Sequence, residues 1–137
     1  MLIVDAGPLV AAALTSDQNH ERCVSLLTGW GSLLVVPALV VAEVAYLLGD
    51  RIGQDAELAF AQSLRDGDFQ VEPVEPSDWA RIADLVDQYG DLPLGIADAS
   101  VVATCERLGA ETLATLDRRH FSVVRPRHCR ALTLLPE

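Results

Sequence analysis

The chain contains no lysine among its 137 residues. Sites that depend on a lysine to hold a phosphoryl group are therefore excluded, and no lysine is available to neutralise a buried acid. Cysteine is sparse and scattered. Cys23, Cys105 and Cys129 form no CxxC pair, which argues against a zinc knuckle and predicts reduced, mostly buried thiols in a cytosolic protein. Aromatics make up 5% of the chain, and Trp30, Trp79, Tyr46 and Phe121 form no stacking series for single-stranded bases; they read as core or interface residues. The longest apolar stretch, Leu33 to Leu48, is interrupted by Pro37 and Glu43 and is too short for a membrane span. The start, Met1-Leu2-Ile3-Val4-Asp5, has neither a basic region nor a small-residue cleavage site, so no signal peptide is expected and the reading is cytoplasmic. No repeat, low-complexity tract or linker is visible, and residues 1–137 read as a single domain.

Half of the residues are hydrophobic, enough to build a buried core. The pattern predicts strands at Leu2–Asp5, Leu33–Val36, Phe69–Val71, Thr112–Leu116 and Ala131–Leu135. Helices are predicted from near Pro8, over Asn19–Trp30, from Pro37 to Arg51, over Gln54–Arg65, from a Ser77 cap through Tyr89, and over Gly95–Leu108, with Gly90 and Gly109 as stops. Strands alternating with helices imply an α/β fold with a central, mostly parallel sheet and helices on both faces.

The net charge of −10 by itself argues against a nucleic-acid partner. The charge is uneven, however: Arg118 to Arg130 holds five of the ten arginines and no acid, so that segment is locally +5 and the rest −15. Most acids lie in polar surroundings, but four do not. Asp5 follows Leu2-Ile3-Val4, and Glu43 has five apolar residues on either side. Asp98 sits in Ile96-Ala97-Asp98-Ala99, and Asp117 follows Leu113-Ala114-Thr115-Leu116. An ionised carboxylate on a buried face costs several kcal/mol unless it is paired. Each acid has an ordinary explanation as a cap, a first-turn acid or a solvent-facing residue. Together those explanations require four coincidences.

Asp5 and Asp117 lie at the C-terminal ends of predicted parallel strands, the edge where open α/β sheets bind ligands. Glu43 and Asp98 lie on helices that begin or pass near it. Carboxylates gathered there repel strongly, and a hard cation relieves the repulsion. Oxygen donors select Mg²⁺ or Mn²⁺ over zinc. The chemistry expected of such a site is phosphodiester hydrolysis by a metal-activated water, with one ion or two.

Leu2-Ile3-Val4-Asp5, Val41-Ala42-Glu43-Val44, Leu94-Gly95-Ile96-Ala97-Asp98-Ala99 and Ala114-Thr115-Leu116-Asp117-Arg118-Arg119-His120-Phe121 resemble the PIN-domain nucleases of the VapC toxin family, in order and spacing over nearly the whole chain. The resemblance implies a three-layer PIN-like fold and an acidic metal and catalytic site of Asp5, Glu43, Asp98 and Asp117. Thr115 matches a small hydroxyl residue found two positions before the last acid. The resemblance further implies Mg²⁺ or Mn²⁺, endonucleolytic cleavage of RNA, a homodimer, and a cognate VapB-type antitoxin whose tail occupies the groove. The chain departs from many relatives by carrying Ala6 and Gly7 where a Ser or Thr follows the first acid.

Asp91, seven residues before Asp98, is a further candidate for the site, against a turn or cap role. Arg118, Arg119 and His120 are candidate RNA contacts, and Arg118, Arg119, Arg125, Arg127 and Arg130 a candidate phosphate-binding rim, against a solvated surface that balances a negative molecule. One rival reading is a receiver domain or a haloacid-dehalogenase-like phosphatase, but both rely on the missing lysine, and the latter on an acid where Gly7 stands. The other is a PIN-like binding module without chemistry, which four retained acids argue against.

Overall fold

The computed structural model describes residues 1–137. Strand β1 (Leu2–Val4) is buried at every position, although alternate side chains point to opposite faces. Only a strand covered on both faces can be apolar without alternation, so β1 lies at the centre. The chain runs on through α1 (Ala6–Ala13), α2 (His20–Gly29), β2 (Leu34–Pro37), α3 (Ala38–Arg51), α4 (Gln54–Asp66), β3 (Gln70–Glu72), α5 (Pro76–Gln88), α6 (Ile96–Leu108), β4 (Thr112–Ala114), α7 (Arg118–Phe121) and β5 (Thr133–Leu135).

The strand order is β3-β2-β1-β4-β5, and every pair is parallel, beyond the mostly parallel sheet expected. Ile3 pairs with Val35 on one side and Leu113 on the other. The chain builds outward from β1 to β3, then returns to lay β4 on the other side of β1. The order therefore reverses between β1 and β4, which leaves a crevice beyond their C-terminal ends. One apolar core runs through the sheet, with Phe121, Leu48, Leu85 and Val101 among its most buried side chains. No helix is long and apolar enough to cross a membrane.

Several local expectations need correction. Helix α1 begins at Ala6 rather than near Pro8. Helix α5 is capped by Glu75, not Ser77: Pro76 stands in the first turn, and a reciprocal box forms in which the Glu75 amide donates to Asp78 Oδ2 at 2.9 Å. Pro37 ends β2 instead of opening α3. The short helix α7 lies outside the elements that the sequence pattern predicts. Cys23 and Cys105 are buried and Cys129 partly so, all as free thiols. Phe121 is core, but Tyr46 and Trp79 are exposed.

Candidate metal centre

Three of the four singled-out acids occupy the start of a helix. Asp5 is the residue before α1, Asp98 lies in the first turn of α6, and Asp117 precedes α7. Helix N-termini present free N–H groups and partial positive charge, which favours carboxylates there. Glu43 comes from the middle of α3. Asp5, Glu43, Asp98 and Asp117 together line one open cleft of about 450 Å³ at the β1/β4 crevice, with Ala6, Gly7 and Val10 of α1 along its wall.

The four differ in burial, which corrects the expectation of four buried acids. Only Asp5 is buried; Asp98 and Asp117 are half-buried and Glu43 is exposed. The apolar flanks of Glu43 do not bury it, because α3 buries just one stripe, Val40, Val44 and Leu48, and leaves Ala42 and Tyr46 in solvent.

A hydrogen-bond chain ties two of the acids together. Thr115, itself buried, donates its hydroxyl to Asp5 Oδ2 at 2.9 Å and accepts the Asp117 amide at 3.0 Å. A hydroxyl near the first acid is thus supplied by the neighbouring segment after β4. Gly7 packs closely against the segment after β4: an added Cβ would stand 3.2 Å from Leu116 Cβ, so Leu116 would have to give by a few tenths of an ångström.

The electrostatics record the crowding. Burial pushes the Asp5 carboxyl up to about 6; the Ala6 amide and the Thr115 hydroxyl oppose the rise, and Asp98 and Glu43 add to it. Glu43, although its side chain is exposed as a whole, is raised by the limited desolvation of its carboxyl and then by Asp98. Asp98 is raised mainly by burial, with His120 opposing and Asp117 adding. None of the four is ion-paired to an arginine.

His120 enters the cluster. Its amide donates to Asp117 Oδ1 at 3.0 Å, and its ring Nδ1 lies 2.7 Å from Asp117 Oδ2 and 3.3 Å from Asp98 Oδ2. Nδ1 is shut off from solvent, yet makes no aligned hydrogen bond. Hard oxygen donors, mutual repulsion and an orphaned nitrogen together fit a divalent cation.

Other candidates fall outside the cleft. Asp91 is exposed in the turn between α5 and α6 and does not line it. None of the five arginines of 118–130 lines it either. Arg118 is spent on the C-terminal segment, donating to the Leu134 and Pro136 carbonyls at 3.2 and 2.7 Å. Arg125 bonds the Ser122 carbonyl, and Arg127 lies 3.9 Å from Asp84. Arg119 is exposed and free of such contacts. The cation that does line the cleft is Arg51, and Asp17 lies there too. Glu43, Leu47 and Arg51 are spaced i, i+4, i+8 along α3, a signal visible in the sequence.

The PIN-domain family matches residues 2–125. The chain is 35% identical to ribonuclease VapC26 of Mycobacterium tuberculosis over 135 residues, 98% of this chain and 100% of that protein. Among solved structures it is similar to M. tuberculosis VapC20, described as a sarcin–ricin loop cleaving toxin, with a TM-score of 0.84, 20% identity and coverage of 95% and 99%. It is also similar to VapBC2 of Rickettsia felis bound to a promoter DNA fragment (TM-score 0.68, 14% identity, 97% and 96% covered). FitAcB of Neisseria gonorrhoeae is a third, at TM-score 0.63 and 20% identity, with 99% and 97% covered.

Proposed function

The chain belongs to the PIN-domain family, and from that premise we propose that it is a metal-dependent endoribonuclease of the VapC toxin type. The observation that carries the reading is the meeting of four carboxylates from four separate chain segments around one cleft, none ion-paired to an arginine. Asp5, Glu43, Asp98 and Asp117 would hold Mg²⁺ or Mn²⁺, and residues 1–137 act as one domain. When bound, such a cation supplies Lewis-acid polarisation of a phosphate oxygen and of the attacking water. The chain's own residues do the rest. Thr115 fixes the Asp5 carboxylate, His120 fixes that of Asp117, and Arg51 stands at the cleft to meet a phosphate of the bound RNA.

The proposed protein partner is a cognate VapB-type antitoxin. Its support is an apolar groove of about 350 Å³ along Leu9, Ala13, Leu27, Leu48 and Phe60, built partly from α1 and α3, which also line the acid cleft. A homodimer has a candidate face in the apolar groove of Trp79, Ile82, Val86 and Ile96; sedimentation as a monomer at micromolar concentration removes it.

The test is labelled RNA incubated with purified protein. Cleavage is expected with Mg²⁺ or Mn²⁺, none in EDTA, and a loss of at least about 100-fold with Asp98→Asn, since several kcal/mol of transition-state stabilisation go with the metal. Cleavage that survives EDTA or Asp98→Asn sinks the reading. In cells, expression of the chain without its antitoxin should arrest growth, and the Asp98→Asn protein should not.

A further inference from the structure

We propose that His120 is itself a ligand of the metal centre and adds one nitrogen to an otherwise oxygen-only donor set. The inference rests on the metal-centre reading above and deepens it.

Three observations point the same way. The first is donor spacing. Two ligands at right angles on an ion with bonds of about 2.1 Å stand about 3 Å apart. His120 Nδ1 stands 2.7 Å from Asp117 Oδ2 and 3.3 Å from Asp98 Oδ2, on either side of that value. The second is the state of the nitrogen. Nδ1 is sealed from solvent between two acid oxygens; in the metal-free fold it pairs with Asp98, which opposes the rise of that carboxyl, but it makes no well-aligned bond to the closer Asp117 oxygen. A lone pair directed at a shared cation accounts for a buried nitrogen so placed.

The third is local geometry. Asp117 caps α7 through Oδ1, which accepts the His120 amide at 3.0 Å. That bond locks the turn and delivers the ring to the other oxygen of the same carboxylate. The two remaining histidines are used differently: His20 Nδ1 contacts the Ala11 carbonyl at 2.9 Å and His128 Nε2 the Ala110 carbonyl at 2.7 Å. His128 Nδ1 is likewise buried and unpartnered, but only His120 lies within ion-pair distance of carboxylates. An imidazole is a better donor to Mn²⁺ than to Mg²⁺, so His120 biases the centre toward Mn²⁺.

The experiment is pulsed electron paramagnetic resonance on the full chain with one equivalent of Mn²⁺, alongside binding titrations of Mn²⁺ and Mg²⁺. The expected spectrum contains hyperfine coupling from a directly bound imidazole nitrogen, lost in His120→Gln. That variant should bind Mn²⁺ about tenfold or more weakly, with a smaller loss for Mg²⁺. Bound Mn²⁺ without nitrogen coupling in the unsubstituted protein overturns the proposal, as does coupling that persists in His120→Gln. The unsubstituted protein decides the matter even if the variant folds poorly. Asp98→Asn separates the two levels. If it weakens Mn²⁺ binding while the unsubstituted spectrum lacks nitrogen, the centre stands with oxygen ligands alone and only His120 is removed. If Asp98→Asn binds Mn²⁺ undiminished, the metal centre itself is wrong.

Discussion

The two ends of α6 treat their acids in opposite ways. At its C-terminal end Glu106 receives a two-pronged bond from Arg81, with the closer contacts at 2.8 Å, and accepts the Arg127 amide. Next to it Arg107 bonds Glu72 at 2.7 Å and Asp78 at 3.1 Å. Burial alone would raise the Glu106 carboxyl, but Arg81 and Arg127 outweigh it and hold the group below its ordinary value. At the N-terminal end Asp98 has no arginine, meets Asp117 and is pushed up. Glu106 is satisfied by the fold; Asp98 is left for something the fold does not contain. The difference teaches that acid content alone says little about a site. The presence or absence of arginine partners separates an acid that braces two helices from one held ready for a cation.

The largest effect on this contrast comes from removing a partner at the braced end. Arg81 and Glu106 are 12% and 11% exposed in their side chains, so Arg81→Ala strands a largely buried carboxylate. A loss of about 3 kcal/mol is expected in denaturant unfolding, with Mg²⁺ affinity unchanged. A loss well under 1 kcal/mol would make the α5–α6 pairs ordinary surface bridges and dissolve the contrast.

Removing an acid from the cleft that the N-terminal end of α6 faces should do the reverse. Asp5 is raised from 3.8 to about 6 in the fold, so between those values the native state keeps a proton that the unfolded chain has released. Stability of the metal-free protein therefore falls as pH rises through that window, and the loss persists above it. Asp5→Asn removes this penalty while its amide oxygen still accepts from Thr115. At pH 7 in EDTA the variant is expected to be more stable by about 2 kcal/mol, within the limit of about 3 kcal/mol that the shift allows. Near pH 3.5 the difference should vanish. Saturating Mg²⁺ should stabilise the unsubstituted protein and not the variant. If Asp5→Asn melts lower than the unsubstituted protein in EDTA at pH 7, Asp5 is not an electrostatic burden.

Much of the contrast is legible in the sequence. Asp5 follows three apolar residues that can only be a covered strand, and Asp98 and Asp117 stand where helices and turns begin after apolar runs. The order β-α-β with a return to the other side of β1 brings such positions to one crevice. Exposure was not legible. Glu43 is flanked by apolar residues on both sides, and only the packing of Val40, Val44 and Leu48 against the core decides that its face looks outward. Helix α7 is four residues long, too short for periodicity, and is held by the Asp117 cap and the burial of Phe121. Without α7 the position of His120 beside the acids cannot be foreseen. Arg51 was within reach of spacing alone, two turns beyond Glu43. The run of five arginines is the more conspicuous feature of the sequence, but charge along a chain does not say where each side chain points.

That run supplies the smallest and most discriminating test. Arg118 and Arg119 are adjacent and both exposed, but Arg118 is tied to the Leu134 and Pro136 carbonyls while Arg119 has no such bonds. A free surface arginine can release a counterion from a phosphate; one committed to backbone carbonyls has little left to offer. On Asp98→Asn protein, which should leave RNA uncut, Arg119→Ala is expected to weaken RNA binding a few-fold and to reduce the salt slope by about 1. Arg118→Ala should leave the slope unchanged and cost less than about 1 kcal/mol by loosening the chain after β5. Equal losses of RNA affinity from both would mean that Arg118 exchanges its carbonyls for phosphate when RNA arrives. The basic segment would then act as one patch, and partnership within the free fold would no longer distinguish arginines that brace from arginines that bind.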